Sequence, residues 1–446
     1  MQQFQHTHTS DLSATMAASS VSLAVTPTAQ LKDKSFDKIA ECGLIPQSAI
    51  DLLTEMFEKS RYPMVMMLAK SLLNEAPNSI FLLNIIGESA AILKQNEEAV
   101  FYYSALIDCN PVLGEKLRKA AYLPNVHNNL SIALKELGLL DEAEEHVRKA
   151  ISLRPHFAIA YNTYGTLLND RADLQGARKN LLKAIQLDPN DHIPHWNLQS
   201  TAIDLQQAQE ILEACLQKTP GFQKGVIALA GLRAFSGDTS HIDMLRSAGL
   251  SDDPLVRSID WVLSLPKLPE IHFNRWTVFD SAVECSKPGR ALYEFGVWMG
   301  DSFRYLMRTR KTGYGFDTFS GLPEAWRTVP AGAYSSFGRV PEIDGGEFVV
   351  GEFIETLPKF FSVTRPTAGV MNFDADLYSS TLCALTHALP VIDAETILIF
   401  DEFIVNSDWE QDEFRALNEF CLAHGLSYDV LAISLFTKQM VCKIIF

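Results

Sequence analysis

Basic residues are in short supply in this 446-residue chain: 38 Lys and Arg stand against 54 Asp and Glu, a formal net charge of −16. A sequence-independent nucleic-acid binder needs a basic footprint to displace counterions from phosphate, so that class is excluded. Long apolar runs are missing as well. No uncharged apolar stretch reaches the roughly 18 residues that a membrane-spanning helix requires. Cysteine is sparse and scattered, at Cys42, Cys109, Cys215, Cys285, Cys383, Cys421 and Cys442. The count is odd and no C-x-x-C pair occurs. This excludes a disulfide framework and a thiolate zinc site, and it fits free thiols in a reducing, cytoplasmic compartment. The apolar run Val21–Val25 has no basic segment before it, so no secretory signal is read; residues 1–35, rich in Gln, Ser, Thr and Ala, read as a flexible leader. What the chain does have is apolar content, 47% of residues, ample for packed cores. Its length implies two or three domains at about 150 residues each.

Prolines punctuate the first half. Pro77, Pro111, Pro155 and Pro189 follow one another at intervals of 34, 44 and 34 residues, the middle one being a period plus ten. A 34-residue period is that of tetratricopeptide helix pairs. Small residues recur where such paired helices cross: Gly87 and Ala99, then Ala143 and Ala150, then Gly165, Ala177 and Ala184. Larger apolar side chains such as Ile86, Tyr103, Leu130 and Tyr161 fill the remaining gaps. Residues 36–235 therefore resemble an all-α tetratricopeptide solenoid, with a ten-residue insertion around Leu113–Leu123. Such an array either offers a concave groove to a peptide or protein partner, or acts as a spacer or dimerisation element. Asn84, Asn128, Asn129, Asn162 and Asn197 lie on the first helices with few basic residues beside them, which argues against an acidic C-terminal peptide as ligand. A polar break at Ser236 and prolines at Pro266 and Pro269 mark residues 236–270 as a helical connection.

From Ala291 the period changes. Short apolar runs rich in β-formers (ALYEFGV, TGYGFDTF, AGVMNFDAD, TILIFDEF) alternate with helix-like segments, and LSYDVLAI and MVCKIIF close the pattern. Strands alternating with helices imply an α/β doubly wound, mostly parallel sheet. The last two runs leave no room for a helix and are expected to form an antiparallel C-terminal hairpin at one edge.

Ligands of such sheets sit at the carboxyl ends of strands, at the switch in strand order, and the unusual clusters here fall at strand ends. Glu294, Gly296, Gly300, Asp301 and Ser302 form a glycine-containing strand-to-helix turn, either a close backbone approach to a ligand or an ordinary tight turn. The pattern is not G-x-G-x-x-G, so a nicotinamide fingerprint is absent. Asp317 ends the next strand; it suits a ribose diol or caps a turn. Asp374, Asp376, Asp401 and Glu402 follow two strongly apolar runs. Carboxylates forced together repel unless a cation neutralises them, and oxygen ligands suit Mg²⁺; the alternative is separate solvated acids.

EFGVWMGDS, GFDTFSGLPE, VVGEFIETLP, FDADLYSST and IFDEF occur in the order found in class I S-adenosylmethionine-dependent methyltransferases. More narrowly, residues 271–446 resemble the macrocin O-methyltransferase family of metal-dependent sugar O-methyltransferases. The resemblance implies a Rossmann-like domain whose cofactor site is lined by Glu294, Gly296, Gly300 and Ser302. Asp317 would hold the ribose hydroxyls and Gly351 would lie beside the adenine. It implies Mg²⁺ on Asp374, Asp401 and Glu402, with Asp376 as catalytic base toward a sugar or glycan hydroxyl. Trp298 stands where the commonest pattern has a third glycine, and Glu402 where many relatives have Asp. Tyr334–Gly346 reads either as a lid over the acceptor or as a surface loop, and His387 as a packing histidine. Two other functions compete with this one: a protein or peptide methyltransferase fed by the repeats, and a repeat scaffold carrying a degenerate methyltransferase fold. The acceptor, the repeat partner and the oligomeric state are not readable from the residues.

Overall fold

A computed structural model describes residues 45–109, 122–327 and 329–446. The expected leader, and the insertion up to Ala121, lie outside these residues. By contact density the chain divides between Leu198 and Gln199.

The unit before that division is helical throughout its described residues. Helices Gln47–Glu58 and Tyr62–Leu73, Ile80–Ile92 and Asn96–Asp108, Tyr122–Glu136 and Leu140–Leu153, and Ala158–Asp170 and Leu174–Leu187 pair in chain order, and His192–Leu198 follows. Pro155 and Pro189 each stand two residues beyond a helix end, where a residue without an N–H stops the helix at little cost. The small residues sit at the crossings. Gly165 lies so close to the next helix that an added Cβ would come within 2.6 Å of Leu181 Cγ. Ala99, Ala143, Ala150, Ala177 and Ala184 are all buried. Successive pairs are tied at the repeat spacing: Asn197 Nδ2 donates to Asn162 Oδ1 at 2.8 Å, and Lys135 Nζ to Asp170 at 3.0 Å. Asn84, Asn128, Asn162 and Asn197 are buried, so these side chains serve inter-helix packing.

The second unit carries an eight-stranded sheet. Its strands are β1 (Glu270–His272), β2 (Ala291–Phe295), β3 (Gly313–Asp317), β4 (Gly346–Val350), β5 (Ala368–Phe373), β6 (Ile397–Phe400), β7 (Ser427–Ser434) and β8 (Met440–Ile445). Their order is β1-β7-β8-β6-β5-β2-β3-β4. Strands β2 to β6 run parallel, and β8 is antiparallel to both β6 and β7. The C-terminal hairpin forms as expected, but it is not the edge. Strand β1 pairs outside β7, and β8 lies between β6 and β7.

Helices Leu205–Lys218, Gln223–Phe235 and Pro254–Ser264 belong to this sheet-bearing unit. The contact division thus lies well ahead of the boundary expected near residue 270. The reason is visible on Pro254–Ser264. Asp253 caps it by accepting from the Leu255 N–H at 2.9 Å, and Leu255, Val256, Ile259 and Val262 bury one face. Arg257 Nε and Nη2 reach both oxygens of Glu410 at 2.7 and 3.2 Å, and Ser258 Oγ accepts the Val405 N–H at 2.8 Å. Trp261 packs against Phe403, Trp409 and Phe414 with centroids 5.6 to 6.0 Å apart. The helix is a wall of the fold around the end of β6.

Candidate active site

Four phenylalanines set the floor. Phe316, Phe295, Phe373 and Phe400 are the register partners across β3, β2, β5 and β6, and their rings stack at 5.0, 5.1 and 4.8 Å. Stacked cross-strand aromatics hold strand register. Each is followed by a residue singled out in the sequence: Asp317, Gly296, Asp374 and Asp401. The ladder therefore brings four strand ends into one row at the point where the chain turns from β2 toward β3 on one side and β5 on the other.

Gly296 must be glycine. Its φ is +90°, and an added Cβ would lie 1.8 Å from the Asp374 carbonyl oxygen. The end of β2 thus runs directly against the start of the Asp374–Asp376 segment. Gly296→Ala is expected to cost about 4 kcal/mol, because a backbone collision at positive φ has no side chain to yield. Denaturant midpoints of the two proteins measure it; a loss under about 1 kcal/mol contradicts the close approach.

Beyond it, Trp298 takes φ +49° and Gly300 φ +81° before helix Asp301–Met307. Trp298 therefore keeps a backbone conformation that glycine would adopt freely. Asp317 fastens this turn. Its Oδ2 accepts from the Val297 and Trp298 N–H groups at 2.7 and 2.8 Å, and its Oδ1 from the Phe319 N–H at 2.7 Å. The turn-capping role left open in the sequence is real, and about one of the carboxylate's four acceptor positions remains. Gly351, φ +135°, donates its N–H to the Asp317 carbonyl at 2.9 Å at the end of β4. Ser302 is buried in the first turn of the helix that follows Gly300. Pro341 and Ile343 pack over Gly300, so the segment proposed as a lid covers the glycine turn, with Tyr334 and Phe337 left exposed.

Glu294 lies lower, inside β2, and is 1% exposed. Its partner is Asn372, which sequence reasoning missed: register places them opposite one another, and Asn372 Nδ2 donates to Glu294 Oε1 at 2.7 Å. Burial, reinforced by the charges of Asp401 and Asp317, holds the Glu294 carboxyl well above the usual carboxylate range. Glu294 Oε2 and Trp298 Nε1 have no hydrogen-bond partner among the described residues. Two orphaned polar atoms beside a glycine turn that the backbone itself shapes fit a polar ligand at this point.

Asp374 and Asp376 do not lie on an extended segment, on which i and i+2 would share a face. Strand β5 stops at Phe373, Asp376 has φ +59°, and the Leu377 N–H donates to the Ala375 carbonyl at 2.6 Å. This is a three-residue turn centred on Asp376, a strained conformation for a non-glycine residue. Both carboxyls are raised well above their ordinary value, first by burial. Asp401 is the largest charge acting on Asp374, and Glu402 the largest on Asp376.

The acids expected to hold a metal have partners within the chain. Asp401 Oδ1 accepts from Gln439 Nε2 at 2.6 Å, and Arg275 Nη2 stands 3.2 Å from its Oδ2. Glu402 Oε2 accepts from Lys438 Nζ at 2.7 Å and Asn406 Nδ2 at 2.5 Å. The Glu402 N–H donates to Glu413 Oε2 at 2.9 Å. Among the described residues no group of three or more His, Cys, Asp or Glu is arranged to hold a metal ion. A divalent ion needs free oxygen lone pairs; here Glu402 Oε2 and both oxygens of Asp401 already face the chain's own cations and amides. Glu413 comes from the WEQDEF segment, which sequence reading left without chemistry. His387 sits half-buried on helix Tyr378–Ala388, as expected of a packing residue.

Comparison with known proteins agrees with the repeat reading. Residues 124–157 match the tetratricopeptide repeat. Human protein O-mannosyl-transferase TMTC3 is 31% identical over 133 residues, which are 29% of this chain and 14% of that protein. Protein FlbA of Caulobacter vibrioides is 28% identical over 109 residues, 24% of this chain and 18% of its own length. The chain thus spans less than a fifth of either relative. Among solved structures, the tetratricopeptide protein YrrB shares 14% identity, covering 40% of this chain and 89% of that one at a TM-score of 0.32. The O-methyltransferase NovP shares 20%, covering 38% and 78% at 0.28. The calicheamicin methyltransferase CalS11 shares 18%, covering 51% and 92% at 0.30. No described helix is long and apolar enough to cross a membrane.

Proposed function

We propose that this protein is an S-adenosylmethionine-dependent O-methyltransferase acting on a sugar or glycan hydroxyl, with the repeat array recruiting a protein partner or carrier. The observation that carries the reading is the row of strand ends. The glycine turn and Asp317 adjoin the Asp374–Asp376 turn across the phenylalanine ladder, so a cofactor region and an acid pair meet at one switch point.

S-adenosylmethionine supplies an electrophilic methyl group on a sulfonium. Asp317 keeps the glycine turn in place and has an acceptor position left for a ribose hydroxyl. Glu294, Gly296, Gly300, Ser302 and Gly351 border the same region. Asp376 would take the proton of the acceptor hydroxyl as general base, with the methyl group supplied by the bound cofactor. Holding the two reactants in line is the site's main further contribution. The free cysteines at Cys109, Cys215, Cys285, Cys383, Cys421 and Cys442 support a cytoplasmic setting.

Titration calorimetry tests the reading. The full chain is expected to bind S-adenosylmethionine, and Asp317→Ala at least about tenfold more weakly, since it loses charged hydrogen bonds that shape the turn. A wild-type chain that binds none discards the enzyme reading in favour of a scaffold. Labelled cofactor offered with sugar nucleotides and glycan extracts then identifies the acceptor.

A further inference from the structure

We propose that the site supplies its own cation: Lys438 on Glu402 Oε2 and Arg275 on Asp401 Oδ2 stand where a divalent metal would, so these acids take up none. The inference rests on the proposed site but not on its reaction.

Register makes the arrangement. Strands β6 and β8 are antiparallel with Phe400 opposite Met440 and Ile399 opposite Val441. Continued two steps past the strand ends, the same pairing sets Gln439 against Asp401 and Lys438 against Glu402. These are the pairs that bond, at 2.6 and 2.7 Å. The lysine cannot be a surface side chain resting there by chance. The Lys438 and Glu402 side chains are only 8% and 12% exposed, and lysine is buried only when paired.

The turn that presents Lys438 is also built for the task. Lys438 has φ +72°, a conformation lysine adopts at a cost. Its N–H donates to the Ser434 carbonyl at 2.8 Å, and the Ser434 N–H donates to the Gln439 carbonyl at 2.9 Å. The Thr437 hydroxyl closes the same turn on Ser434 Oγ at 2.8 Å. Arg275, first residue of helix Arg275–Cys285, approaches Asp401 from a different element. Two fixed positive groups beside these two acids oppose entry of a divalent cation at short range.

The test uses Mn²⁺ as probe, followed by the resonance of the free ion and by calorimetry on the full chain. Wild type is expected to bind none at this site and to show no Mn²⁺-dependent rise in unfolding midpoint. Lys438→Met, and independently Arg275→Met, are expected to gain Mn²⁺ affinity by at least about tenfold, because each removes a unit positive charge within 4 Å of a would-be ligand. Adding Glu402→Gln to Lys438→Met should erase that gain. Mn²⁺ bound by wild type and lost in Asp401→Asn overturns the proposal, as do folded single variants that gain no affinity. The wild-type measurement decides even if a variant fails to fold. The readout involves no methyl transfer, so failure of the proposed reaction and failure of this inference are separable.

Discussion

A fragment beginning at residue 271 is expected not to fold, although every strand of the sheet but part of the short β1 would be present. The sequence places a boundary there, and the resemblance to sugar methyltransferases also starts there. The structure removes that freedom. Helix Pro254–Ser264 buries Leu255, Val256, Ile259 and Val262, and at about 1.5–3 kcal/mol for each fully buried aliphatic its loss approaches the 5–15 kcal/mol that typically hold a domain together. Trp261 would leave Phe403, Trp409 and Phe414 facing water, and Glu410 would lose Arg257. Asn274, which caps helix Arg275–Cys285, donates from its Nδ2 to the Ser200 carbonyl at 2.8 Å, so even the start of the unit is tied in. A fragment beginning at Gln199 is expected to fold. Circular dichroism and thermal melts of the two fragments decide it. A cooperative transition in the shorter one, at a midpoint within a few degrees of the longer, refutes the assignment of these helices to the sheet-bearing unit.

The second large effect is chemical. Asp376→Asn is expected to lower the rate of methyl transfer by roughly 10²- to 10⁴-fold, the usual contribution of a general base, with cofactor affinity unchanged. Asparagine is the informative substitution because it matches aspartate in shape and, like it, adopts positive φ more readily than other non-glycine residues. The turn centred on Asp376 therefore survives and only the proton acceptor is lost. Alanine would strain the turn and shift Asp374 against Gly296, mixing two effects. Single-turnover transfer from labelled cofactor to the identified acceptor measures the change. A rate within a few-fold of wild type would remove Asp376 from the chemistry and redirect attention to Asp374.

Much of this was legible in the residues. The proline period and the small residues at helix crossings located the repeats, because close packing of paired helices leaves few alternatives to Gly and Ala at those points. The strand runs were legible for a related reason: strands buried on both faces are continuously apolar. The acids were found because each follows an aromatic that ends a run. What could not be read was whatever depends on strand order. Asn372 meets Glu294 only through the β2–β5 register, and Lys438 meets Glu402 only because β8 inserts beside β6. In sequence Lys438 is one more lysine near a turn. The expectation of a metal rested on clustered carboxylates and a family resemblance, neither of which says which cations the topology sets against those acids. The contact division differs from the boundary read near residue 270 because prolines mark the end of a helix, and nothing local says which core that helix joins.

The position of β8 has a temporal consequence. It is the final strand of the sheet in sequence order, yet it sits between two others, and its leading turn carries Lys438 and Gln439 into the acid row. As the polypeptide emerges from the ribosome, the repeats and the parallel strands are made first, while β6 and β7 wait with exposed edges. Through that interval Asp401 and Glu402 lack Gln439 and Lys438, the partners that the last turn supplies. Synthesis of β8 then closes the sheet and brings Lys438 and Gln439 to these acids together.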